Sequence, residues 1–165
     1  MPTATYTPLA NVTLAATSTS VTFGSIPATY RDLVIIFQGL SGGVGNFQTR
    51  LRLNGDTGAN YNWQRMSGSG TSAFASTASS QTQLSLTFLA EAQTTTQVQH
   101  QINLLDYSAT DKHKTVISRA GNASQGTEAV AGRWASTAAV TSVQLFPSSA
   151  TFGIGTVVAL YGIVS

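Results

Sequence analysis

The chain has 165 residues, 42% of them hydrophobic, and a formal net charge of +2. That length suits one domain able to bury a real core. Only 8% of residues are charged, against a usual value of about 25%, and none is cysteine; this excludes disorder driven by charge repulsion, a basic nucleic-acid surface, disulfides and thiolate metal sites.

From the N-terminus, residues 1–10 read as an extended arm, because Pro2 and Pro8 hold the residues before them out of the helical region. Residues 11–165 read as one domain. Helix formers such as Glu, Lys and Met are scarce, while Thr, Val, Ser and Gly abound. Strands are expected near 11–17 and 20–23. The run "DLVIIF" (32–37) is apolar on both faces and reads as a central strand covered on both sides. In "FQTRLRL" (47–53), Phe47, Thr49, Leu51 and Leu53 share one face and Gln48, Arg50 and Arg52 the other, which is the period of a half-buried strand. A turn at 54–60 and a strand at 61–67 follow.

The stretch "SGSGTSAFASTASSQTQ" (67–83) is low in complexity, and a long surface loop is expected there, at about 67–80. Alternation resumes in "QTQLSLTF" (81–88), with Leu84, Leu86 and Phe88 on one face. It recurs in "QVQHQINLL" (97–105), with Val98, His100, Ile102 and Leu104 on one face. Further strands are expected near 115–120, 128–135 and 139–146. The closing "TVVALYGIV" (156–164) reads as a second central strand. About ten short strands separated by Gly-, Asn- and Pro-bearing turns make the fold class all-β: an antiparallel β-sandwich of jelly-roll type.

The candidate sites are few. Asn54, Asp56, Gly58 and Asn60 have the alternating spacing of a calcium loop, but only Asp56 is charged and no bidentate Glu closes it. The same residues suit a tight turn between strands, which is the expectation. Asp56, Asn60, Tyr61 and Trp63 together have the composition of a sugar site, an aromatic platform ringed by Asn and Asp. His100 reads as a hydrogen-bonded core residue, and His113 in "SATDKHKT" as part of an exposed turn. No nucleophile elbow, phosphate-binding glycine loop or paired carboxylate in a suggestive context appears. No cofactor, no metal and no catalysis are expected. Arg50 and Arg52 share an outward face and are interface candidates. So are Arg133 and Trp134, whose residue types are enriched at interface hot spots. If Trp134 faces the core, Arg133 faces out.

No apolar run approaches the roughly 18 residues of a membrane span, and the N-terminus lacks a basic, apolar leader. The expectation is a protein made in a cytoplasm and not exported by the general secretion route, with no membrane and no nucleic-acid partner. "NVT" (11–13) and "NAS" (122–124) match the glycosylation pattern but carry no weight in that setting.

Four stretches, "SVTFGSIPATYRDLVIIF" (20–37), "LRLNGDTGANY" (51–61), "AGRWASTAAVTSVQLFP" (131–147) and "GTVVALYGIV" (155–164), resemble in order and spacing a group of small β-rich virion proteins of tailed bacteriophages. The resemblance runs over most of the chain, and its elements are structural. It implies a virion part: a capsid decoration or cement protein, or else a tail-fibre or receptor-binding module recognising a host glycan. The sequence favours the first, a homo-oligomer, expected to be a trimer, bound to the major capsid protein.

Overall fold

The computed structural model describes residues 5–164. Twelve strands are present: β1 (Tyr6–Thr13), β2 (Val21–Phe23), β3 (Asp32–Gly39), β4 (Thr49–Leu53), β5 (Tyr61–Gly68), β6 (Ala73–Gln81), β7 (Leu84–Ser85), β8 (Val98–Leu105), β9 (Lys114–Asn122), β10 (Gly126–Trp134), β11 (Val143–Pro147) and β12 (Val157–Ile163). Every pairing is antiparallel. One sheet has eight strands in the order β1-β12-β3-β8-β9-β10-β5-β6, and the other has four in the order β2-β11-β4-β7.

The fold is an all-β antiparallel sandwich, as the alternating sequence requires. β4 buries Thr49, Leu51 and Leu53, and β8 buries Val98, His100, Ile102 and Leu104. The apolar ones among them meet Leu33, Ile35 and Phe37 of β3 and Val143 and Leu145 of β11 in one core. Phe152 packs at an angle against Phe37 and edge-on against Phe47, with ring centroids 5.2 and 5.3 Å away. The pairings β1·β12, β2·β11, β3·β8 and β4·β7 are nested, as in one long antiparallel ribbon folded across two sheets. Two hairpins, β5–β6 and β9–β10, interrupt that ribbon and extend the larger sheet beyond the smaller one.

The overhang needs a cover, and residues 86–92 supply it. Leu86, Thr87, Ala90 and Ala92 are fully buried. This explains why "QTQLSLTF" is not the half-wet strand its alternation predicts. Only Leu84 and Ser85 pair with β4, and the chain then turns inward with both faces covered. Leu84 lies so close to Gly132 of β10 that a Cβ there would sit 2.8 Å from its methyl group.

Three further expectations change. Residues 67–80 are not a long loop. Ser69 N–H donates to the Ser72 carbonyl at 3.0 Å, Gly70 takes φ +88°, and residues 73–81 return as β6 beside β5. Both faces of β6 are wet, so no period-two signal marks it; backbone pairing alone makes it a strand. Residues 6–10 are not a free arm but the first part of β1, with Tyr6 opposite Ile163 and a bulge between Pro8 and Ala10; residues 1–4 of that arm lie outside the described residues. Finally, β3 is central but not fully covered, because Ile36 is 41% exposed on its outer face.

Candidate interaction surface

The larger sheet has one face on the core and one outside. On β9, Lys114, Val116, Ser118 and Ala120 are buried, so Thr115, Ile117 and Arg119 point away. On β10 the outward set is Thr127, Ala129, Ala131 and Arg133. Register assembles these into rows across six strands. One row runs Ile36, Gln101, Arg119, Ala129, Met66, Ala75; the next runs Val34, Asn103, Ile117, Ala131, Gln64, Thr77. The alanines are low between Met66, 68% exposed, and Ile117, and they form the floor of a shallow trough of about 550 Å³.

Charge on this face is sparse and of one sign. Across β8, β9, β10, β5 and β6, the outward residues include Arg119 and Arg133 and no carboxylate. Arg119 donates to the Gln101 side chain at 3.3 Å. The three ion pairs among the described residues are Arg31–Asp32, Arg65–Glu128 and Lys112–Asp106, so neither of these two arginines is neutralised.

The expected interface residues do not come together. Trp134 is buried at 3% exposure and Arg133 is exposed, so the strand presents the arginine outward, as the alternation anticipates. Arg50 and Arg52 are half-buried on the outer face of the smaller sheet, on the other side of the sandwich. The Arg52 guanidinium lies over the Phe146 ring, 4.7 Å from its centroid, and its donors reach Thr82 and Gln83 at 3.4 and 3.5 Å. Arg50 Nε is buried without a hydrogen-bond partner among the described residues.

The stretch 54–62 is a turn held by its own side chains. Asn54 and Gly55 take φ +51° and +66°, and Asp56 N–H donates to the Leu53 carbonyl at 3.0 Å, the geometry of a primed two-residue turn. Asn54 ties this turn to the segment before β11. It donates to the Ala139 carbonyl at 2.8 Å and accepts from Thr141 and Ser142 N–H at 2.8 and 3.1 Å. The Asp56 carboxylate accepts from the Trp134 indole at 2.6 Å, the Asn60 amide at 2.8 Å and Gly58 N–H at 2.7 Å. The Trp134 hydrogen bond is the main reason its pKa lies below the ordinary value, with partial burial opposing. Those oxygens are occupied, and no group of three His, Cys, Asp or Glu side chains clusters to hold a metal among the described residues.

The sugar-site set is not assembled at the surface. Tyr61 is fully buried, and its hydroxyl accepts from Leu53 N–H at 3.1 Å and lies 3.3 and 3.2 Å from the Leu53 and Asp56 carbonyls. Burial pushes its pKa up to about 12. Its ring stacks on Trp134, and Trp63 packs inward against Phe88 with centroids 4.7 Å apart. Neither ring is offered as a platform beside Asp56 and Asn60. The signal was in the spacing: Tyr61 and Trp63 are two apart, hence on one face of a strand, and that face is the core.

His113 lies in an exposed turn, as expected. His100 is a core residue packed edge-on to Phe37, but both ring nitrogens lack a partner among the described residues, and burial pushes its pKa down to about 3. Two buried charged groups went unanticipated. Lys114 is fully buried and donates to the carbonyls of Lys112 and Thr137 at 2.8 and 3.3 Å; loss of water lowers its pKa. Glu128 accepts from Phe88 and Ala90 N–H at 2.7 and 2.9 Å and from Arg65 at 3.4 Å, and so anchors the covering segment. Both positions alternate in register with Val116 and Val130, which was the available sign that they face the core. Comparison with protein-family models, with curated proteins and with solved structures finds no match to this chain.

Proposed function

We propose that the chain is a non-enzymatic structural protein of a bacteriophage virion: a capsid decoration or cement protein that assembles in the bacterial cytoplasm and braces the major capsid lattice. The observation that carries this reading is the outer face of the larger sheet. It is broad and made of Ala, Thr, Gln and Asn, with exposed Met66 and Ile117 and two unneutralised arginines. Such a surface loses little on desolvation, since few charges must shed water. Depletion of charge with Met and Arg retained is the composition of interface centres. Many modest contacts repeated over a lattice then add through avidity. The nested ribbon of eight strands supports a jelly-roll core, and the sequence resemblance supports the virion setting.

The test is binding of purified protein to capsids that lack it. Arg133→Glu and Arg119→Glu should each cut occupancy at least about tenfold, equivalent to about 1.4 kcal/mol, with thermal unfolding unchanged. Full occupancy by the double variant removes this face from the proposal.

A further inference from the structure

The sandwich has four sheet edges, and three are blunted. β1 carries Pro8 and a bulge, β2 has three residues, and β7 has two. The fourth edge is β6, nine residues long, paired only with β5 and free of charge, proline and glycine (AFASTASSQ). Exposed edges of that kind pair with other strands unless guarded by charge, proline, bulges or shortness. A bulge near Ser80, where φ is +54°, leaves the first six residues regular.

The hairpin fixes which backbone groups are unused. Ser69 donates to Ser72 at the turn, so the bonded pairs along β5–β6 fall at alternate positions from there: Ser67 with Phe74, Arg65 with Ser76, Trp63 with Ala78. Ala73, Ala75 and Thr77 therefore direct their N–H and C=O groups away from the sheet.

The geometry points to β6 as a self-association edge: its partner is the β6 strand of a second copy, antiparallel about a twofold axis at Ala75. In that register Ala75 faces the second copy's Ala75 and Ala73 faces its Thr77, so all three outward residues on each strand form bonded pairs, six hydrogen bonds in all. Like faces like here without repulsion, because the strand has no charge. No outward side chain is larger than threonine, so the strands can close. Phe74, 49% exposed, comes to lie opposite the second copy's Ser76, in the closer, non-bonded class of pair. A twofold pair covers both open edges at once and stops growth, whereas a foreign strand would leave another edge open. It makes an even-numbered assembly in place of the trimer expected from sequence, and joins the two alanine-floored troughs into one surface.

The test is sedimentation velocity on the full chain and three variants. The wild type should sediment at twice the 17.2 kDa chain mass. Ala75→Pro removes an N–H that points away from β5 and fixes an edge-compatible φ, so it should give a folded monomer. Ala75→Lys places two ammonium groups opposite each other and should also give a monomer. Ala75→Cys introduces the only thiol in the chain, and mild oxidation should cross-link it to itself. A wild-type monomer at high concentration overturns the inference, as does an odd-numbered oligomer, or a dimer that survives Ala75→Lys. Failure of the cysteine variant to cross-link while the wild type is dimeric overturns the register.

Discussion

The indole N–H of Trp134 donates to the Asp56 carboxylate at 2.6 Å, joining the end of β10 to the turn after β4. One carboxylate thus closes the turn through Gly58 and Asn60 and fastens it to a buried aromatic. Trp134→Ala should cost about 3–5 kcal/mol, as deletion of a large core side chain does. Trp134→Phe keeps most of the packing but loses a hydrogen bond to a charged group, and should cost about 1.5–3 kcal/mol. The pH dependence separates the two losses. Asp56 has a lowered pKa in the folded state, so its contribution is present above the ordinary carboxylate value and is lost as pH falls through the folded one. The gap between wild type and Trp134→Phe, measured by urea unfolding, should be full at pH 7 and shrink below about pH 4. A gap that holds constant into acid would mean the indole does not act through Asp56.

A second prediction concerns Glu128. Its carboxylate satisfies two backbone N–H groups of the covering segment and neutralises Arg65. Glu128→Ala leaves those donors and a largely buried guanidinium unpaired, and should cost about 3–5 kcal/mol. Glu128→Gln retains an acceptor and should cost visibly less. Equal losses would show that the charge, rather than the acceptor geometry, holds residues 86–92 in place.

His100 should be a source of instability. Its two nitrogens are buried without partners, so His100→Met should raise stability by about 1 kcal/mol at pH 7. The sign with pH follows from the direction of the shift. The unfolded chain binds a proton below pH 6.5 that the folded chain refuses until about pH 3, so wild-type stability falls as pH drops through that window. The methionine variant should be flatter there. A variant no more stable than wild type, with the same pH profile, would mean those nitrogens have partners in solution.

Chelator treatment should leave the melting temperature unchanged, because the Asp56 oxygens are already held by three protein donors. A large drop reversed by calcium would overturn the description of residues 54–62 as a turn.

What the sequence made legible was decided by whether a segment has one wet face and one dry face. β4 and β8 do, so Leu51, Leu53, Ile102 and Leu104 announced themselves. β6 has two wet faces and no alternation, so "AFASTASS" looked like a loop although its backbone pairs along its length. Leu84 and Leu86 misled in the opposite way, since the intervening Ser85 is buried too. Arg133 pointing out and Trp134 pointing in followed from adjacency on a strand. The Trp134–Asp56 contact did not, because it spans 78 residues and arises from how β10 is laid beside β5. The proposed interaction face was hidden for the same reason. Ala75, Met66, Ala129 and Arg119 lie on four strands and become neighbours only through register.

The most direct test of the proposed capsid role is quantitative mass spectrometry of purified phage particles from cells that make this protein, giving its copy number against the major capsid protein. A decoration protein lying on the lattice should be present in proportion to capsid subunits, with hundreds of copies per particle. A few copies to a few tens per particle, at the stoichiometry of a tail component, or its absence from the particle, would contradict the account.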